Sequence, residues 1–151
     1  MTSAPISVVV RTHSIDRLVY LRRALFSLML QRADDMEVLI CTQRFSDEDM
    51  ERLRAEIAHL GLGLNGTAEV KFVNVLEPES GDIRGHVLNA GIKAATRRYI
   101  GFLDDDDVVY TGIYERLIDD LRTEQGQAAF GRCVRVDGSL ARGAFFARTK
   151  S

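Results

Sequence analysis

Short apolar runs alternate with stretches whose apolar residues recur every three or four positions, and the pair is repeated along most of the chain. Residues 6–11 (ISVVVR) are apolar and β-branched up to the final arginine, which predicts a central parallel strand. Leu18, Leu21, Leu25 and Leu28 follow at spacings of three, four and three, predicting an amphipathic helix over residues 16–31 with Arg22 and Arg23 on its wet side. Residues 37–42 (EVLICT) predict a second strand. Ser46 with Asp49 resembles a capping box, and Met50, Leu53, Ile57 and Leu60 form the apolar stripe of a second helix. The Gly-rich stretch 61–66 (GLGLNG) ends that helix. It follows a helix, whereas a dinucleotide fingerprint follows a strand, so it reads as a loop.

Residues 70–76 predict a third strand, and residues 77–81 (EPESG) a turn into a third helix with Leu88, Gly91, Ile92 and Ala95 on one face. The run 99–103 (YIGFL) carries no charge and predicts a fourth strand, buried on both faces. A helix over residues 112–122 buries Tyr114, Leu117, Ile118 and Leu121. Residues 128–136 and 141–147 flank Asp137 and Gly138, a dipeptide favoured in hairpin turns, so the last elements read as a β-hairpin.

Alternation of strand and helix predicts an α/β fold with a mainly parallel sheet, helices on both faces and right-handed crossovers. The loops at the strands' carboxyl ends then line one edge, where open α/β sheets bind ligands. Those loops hold Arg11, Thr12 and His13; Gln43 and Arg44; Asp82 and Arg84; and the acidic run 104–107. Two carboxylates about 5 Å apart repel by roughly 3 kcal/mol at an effective dielectric near 20, so the run needs compensation. A hard divalent cation with oxygen ligands, Mg²⁺ or Mn²⁺, is the expected answer, and it implies a phosphate-bearing ligand. The alternative is a solvated turn with Asp107 capping a helix that starts near Thr111. Arginine recognises phosphate oxygens through a fixed fork of donors, so Arg11, Arg44 and Arg84 carry weight through their convergence. His13 reads as a loop residue capping backbone groups before it reads as a ligand.

Composition narrows the field. With 151 residues, 46% of them hydrophobic, the chain suits one domain (residues 1–151) with a real core. A net charge of −2 argues against a non-specific nucleic-acid binder and against a strongly basic membrane face. No apolar run is long enough to span a bilayer and the first residues lack a signal-peptide pattern. The expected location is cytoplasmic, with peripheral association at the inner face of the membrane as the extension of it. Cys41 and Cys133 stand apart without metal-ligand spacing and read as reduced, buried thiols.

Three stretches taken together, ISVVVRTHS, EVLICTQRFSD and GHVLNAGIKAATRRYIGFLDDDD, resemble the family 2 glycosyltransferases in order and spacing. The resemblance covers nearly the whole chain, and the last stretch is its most specific part. It implies a Rossmann-like GT-A fold for nucleotide-diphosphate sugars and an inverting transfer to a saccharide or lipid-linked acceptor. It further implies Mn²⁺ or Mg²⁺ held by Asp106 with Asp104, and a nucleotide bordered by Thr12, Asn89, Asp104 and Asp105; the strand-end loops add Arg11, Gln43, Arg44 and Arg84 to the expected nucleotide-binding residues. Alternate residues of an extended segment share a face, so Asp104 and Asp106 are expected to point together and Asp105 away. A homodimer is the expected assembly, if any.

Departures from the family pattern are specific. Arg11 stands where members usually have Pro. Thr42, Gln43 and Arg44 occupy a turn where an acidic residue normally accepts the base's imino proton, although the Gln43 carboxamide still offers an acceptor and a donor. The acceptor-side half, with its catalytic carboxylate and a Trp-containing element, is expected beyond residue 151, and no general base is assignable in this chain. It therefore reads as a donor-binding half. The alternative is a catalytically inert GT-A-like module for nucleotide binding or assembly. A P-loop ATPase is disfavoured because no Gly-x-x-x-x-Gly-Lys-Ser/Thr loop follows the first strand.

Overall fold

The computed structural model describes residues 5–31, 35–61, 68–77 and 82–131. The remainder of the Gly-rich stretch after Gly61, most of the 77–81 turn, Cys133 and nearly all of the expected hairpin lie outside the described residues. Four strands form one parallel sheet: β1 (Ile6–Thr12), β2 (Met36–Gln43), β3 (Ala68–Val75) and β4 (Tyr99–Asp104), in the order β3-β2-β1-β4. They alternate with α1 (Leu18–Met29), α2 (Asp47–His59), α3 (Arg84–Ala94) and α4 (Ile113–Thr123), and a short 3-10 turn at Ile15–Arg17 precedes α1.

The period of two along the strands sorts the core into two layers. Val8, Val10, Val38 and Ile40 face α1, α2 and α4, which contribute Leu21, Leu25, Leu28, Met50, Leu53, Ile57, Tyr114 and Ile118. Val9, Leu39 and Cys41 face the other way, against Ile83 and Val87 beside α3. Helices therefore cover both faces. α3 lies close because Gly91 has no side chain: a Cβ there would stand 2.6 Å from Val9 Cγ1 and 2.9 Å from Cys41 Sγ. The Ser46 side chain caps α2 and Asp49 reciprocates, the expected capping box.

Three expectations change. β4 is the outer strand among the described residues, and α3 packs chiefly on β1, β2 and β3. One face of β4 is sealed by Tyr114 against Gly101, while Ile100 and Phe102 on the other are 39% and 53% exposed, so the strand is not buried on both faces. Ile92 is 41% exposed, because the buried face of α3 runs through Val87 and Gly91. Asp107 does not cap α4. That helix starts after Gly112, whose φ of 77° is left-handed, with no side-chain cap.

At the sheet's amino end β2 carries a fully buried carboxylate. Glu37 accepts hydrogen bonds from Ser7 Oγ, Lys71 Nζ, Thr96 N (3.0 Å) and Thr96 Oγ1 (2.7 Å). Arg97 N donates to Ser7 Oγ, and the Arg97 guanidinium pairs with Asp35 and Glu69. These contacts fasten the α3–β4 connection to β1 and β2. Burial pushes the Glu37 carboxyl up, but the bonds from Lys71, Ser7 and Thr96 outweigh it and hold the group at about 2. For the Cys41 thiol burial meets no such opposition and pushes it up to about 12.

Candidate functional site

The strand register builds the site. It sets Arg11 of β1 beside Asp104 of β4, and Thr12 of β1 beside Thr42 of β2, so three carboxyl ends meet around Thr12. β4 ends at Asp104, and the next residues turn: Asp105 N donates to Arg11 O and Asp107 N to Asp104 O. Strand alternation therefore does not continue through the acidic run, yet Asp105 is buried while the Asp104 and Asp106 side chains are exposed.

Arg11 donates through Nε (3.0 Å) to Asp104 Oδ1, and its Nη2 pairs with the same oxygen at 2.9 Å. Asp105 is 3% exposed and faces inward. It accepts from Thr12 Oγ1 at 2.7 Å and from Arg17 Nε and Nη2, both at 2.8 Å, in a two-pronged fork. Burial pushes the Asp105 carboxyl up, yet the bonds from Arg17 and Thr12 and the charges of Arg17 and His13 bring it below its ordinary range. Arg17 Nη2 also meets Asp106 Oδ2 at 2.9 Å, and the Asp106 side chain is 57% exposed. Asp107 is pushed up by partial burial and then by the charges of Asp106, Asp104 and Asp105.

Part of the compensation of the run thus comes from two arginines, Arg11 and Arg17. Among the described residues no group of three or more His, Cys, Asp or Glu is arranged to hold a metal ion. Mg²⁺ and Mn²⁺ nevertheless commonly take only one or two carboxylates from a protein, with phosphate and water completing the shell. Asp104 and Asp106, both substantially exposed, fit that demand.

Of the expected arginines, Arg11 joins the cluster directly. Arg84 is exposed, pairs with Asp82 at 2.8 Å, and lies within the field of Asp104. Asp82 in turn is held at about 2, chiefly by its bonds from Arg84, with a smaller contribution from Arg11. Asn89 is exposed on α3. It lies five residues past Arg84, about 7.5 Å along the helix, and is not drawn into the cluster.

Gln43 ends β2 and Arg44 follows it with φ of 54°, a left-handed conformation in a non-glycine residue. Sequence reasoning missed Arg17, which falls within the helix expected over residues 16–31 but ends the 3-10 turn, capped by Ser14, in the connection from β1 to α1. It also missed Asn74 of β3, whose carboxamide accepts from Thr42 Oγ1 (2.9 Å) and Phe45 N (3.1 Å) and donates to Phe45 O (2.8 Å).

No helix among the described residues is long and apolar enough to cross a membrane. The sequence model of Glycosyl transferase family 2 matches residues 7–145. An uncharacterized glycosyltransferase of Nostoc sp. is 26% identical over 134 residues, spanning 89% of this chain and 38% of that protein. Among solved structures, TarS of S. aureus superposes with a TM-score of 0.61 at 18% identity, covering 80% of this chain and 20% of that one. TarS 1-349 in complex with UDP gives 0.60 at 19% identity, over 80% and 33% of the two chains. The mannosyltransferase PcManGT of Pyrobaculum calidifontis, in complex with GDP-Man and Mn²⁺, gives 0.52 at 18% identity over 68% and 28%. The likeness to these structures is one of fold, the GT-A arrangement expected from the sequence.

Proposed function

The chain belongs to glycosyl transferase family 2, and from that premise we propose that it is the donor-binding domain of an enzyme that moves a sugar from a nucleoside diphosphate to an acceptor hydroxyl, with inversion and with a divalent cation. One observation carries the reading. Four carboxylates crowd the carboxyl edge of the sheet, and Arg11 and Arg17 supply two positive charges against them. The remainder suits a cation that shares its shell between Asp106, Asp104 and the donor's phosphates. Bound there, Mn²⁺ or Mg²⁺ would supply positive charge that offsets the charge developing on the departing diphosphate.

The other roles follow from position. Arg84, exposed and paired with Asp82, is placed to exchange that partner for a phosphate oxygen. Arg11, Gln43 and Arg44 stand at the rim where a nucleoside would lie, with Thr12 buried against Asp105 and Asn89 further down α3. Asp105 has its acceptors engaged by Thr12 and Arg17, so its part is to fix the run in place and keep Asp104 and Asp106 outward. PcManGT with GDP-Man and Mn²⁺, and TarS with UDP, support the donor class through the shared fold.

Calorimetric titration of the protein with UDP or GDP in the presence of Mn²⁺ tests this. Wild type is expected to bind one of them, and Asp106→Asn at least about tenfold more weakly. Equal binding by the two proteins overturns the reading. A second reading, nucleotide binding without transfer, draws on the β2–α2 turn, where Gln43 and Arg44 offer no carboxylate. Release of nucleoside diphosphate from a nucleotide sugar by the full-length gene product separates the two: turnover excludes the inert module.

A further inference from the structure

The turn between β2 and α2 is held from three sides. Asn74 grips it through the two bonds it accepts from Thr42 and Phe45 and the one it donates to Phe45. The Phe45 ring is 5% exposed and sits in the core with Met50 and Leu53. Ser46 and Asp49 close the far end with their capping box. Arg44 N donates to Val75 O at 2.9 Å, so the backbone on both sides of Arg44 is fixed to β3.

Within this frame Arg44 keeps a left-handed φ of 54°, a conformation that costs an L-residue free energy and persists only where the surroundings enforce it. Asn74 lies opposite Thr42 in the strand register, two residues before the strained Arg44, and its carboxamide ties β3 directly to that turn.

We propose that Asn74 is a positioning residue: it holds the β2–α2 turn so that Gln43 and Arg44 are presented to the nucleoside diphosphate at the carboxyl edge. The inference rests on the donor-binding reading above and deepens it by naming what orders the side of the site that departs from the family pattern. The Asn74 carboxamide is engaged by Thr42 and Phe45. Its effect passes through Arg44, and that route is what distinguishes it from a residue that merely stabilises the fold.

A four-protein cycle makes the test: wild type, Asn74→Ala, Arg44→Gly and the double variant, each titrated with UDP and GDP plus Mn²⁺, with melting temperature as a folding control. Asn74→Ala is expected to weaken binding about five- to tenfold when Arg44 is present and by less than about twofold in the Arg44→Gly background. A merely structural role lowers the melting temperature in both backgrounds and leaves affinity alone, or lowers affinity equally in both. Either result overturns the proposal. Asn74→Gln, with its carboxamide displaced by one methylene, replaces the alanine variant if that does not fold, and the same loss of effect in the Arg44→Gly background is required of it. If wild type binds neither nucleotide, the donor reading fails and this proposal with it; wild-type binding with additive losses removes this proposal alone.

Discussion

At the amino end of the sheet Glu37 is saturated by Ser7, Lys71 and Thr96, while at the carboxyl end Arg11 and Arg17 are shared among three carboxylates of the acidic run 104–107. Both ends carry anionic oxygens at the mouths of the same strands. The first set is closed: every acceptor lies inside the protein and answers to a fixed donor, as a buried charge requires. The second is graded, from Asp105, which is sealed like Glu37, to Asp106, more than half exposed. A network that holds a fold and one that receives a ligand differ in this residue-by-residue saturation, and substitution separates them.

The largest effect is expected at Glu37. Replacement by alanine leaves Ser7, Lys71 and Thr96 without their common acceptor and should cost about 3–5 kcal/mol in urea denaturation. The folded fraction should still bind nucleotide as wild type does. Acid should reach the same network. The folded-state pKa of Glu37 lies below its ordinary 4.5, so protonation favours the unfolded chain. Its stabilisation is complete above pH 4.5 and lost as the pH falls towards about 2. Glu37→Gln should flatten the dependence of stability on pH in that window, and an unchanged profile would sink the assignment.

Asp105 and Asp106 sharpen the comparison inside a single turn. Asp105→Asn leaves Arg17 and Thr12 facing a neutral amide and should cost about 2–3 kcal/mol. Asp106→Asn, at an exposed pair, should change stability by no more than about 0.5 kcal/mol while weakening metal-dependent nucleotide binding. Similar stability losses from both would erase the distinction between anchor and ligand. Smallest of the set, Thr12→Val should cost about 1 kcal/mol, the value of one hydrogen bond to Asp105, measured by the shift of the thermal midpoint.

What could be read from the sequence follows the range of the interactions. The Ser46 capping box needs partners three residues apart, and the α1 stripe needs a helical period, so both were legible. Arg17 meets Asp105 across 88 positions and Asn74 meets Phe45 across 29, and no local pattern announces either. Glu37 had a signal that was available: a lone carboxylate beside the apolar run VLIC of a central strand demands internal partners. The exposure of β4 depended on the reach of α3, which periodicity along one strand does not report.

Gly91 gives the protein a built-in gauge of its own opening. The backbone of α3 lies directly over Cys41, whose thiol is both inaccessible and hard to ionise, so an alkylating reagent can reach it only after the helix lifts. In a Cys133→Ser background the labelling rate of Cys41 would count those excursions, and a nucleotide that steadies the rim above should make them rarer.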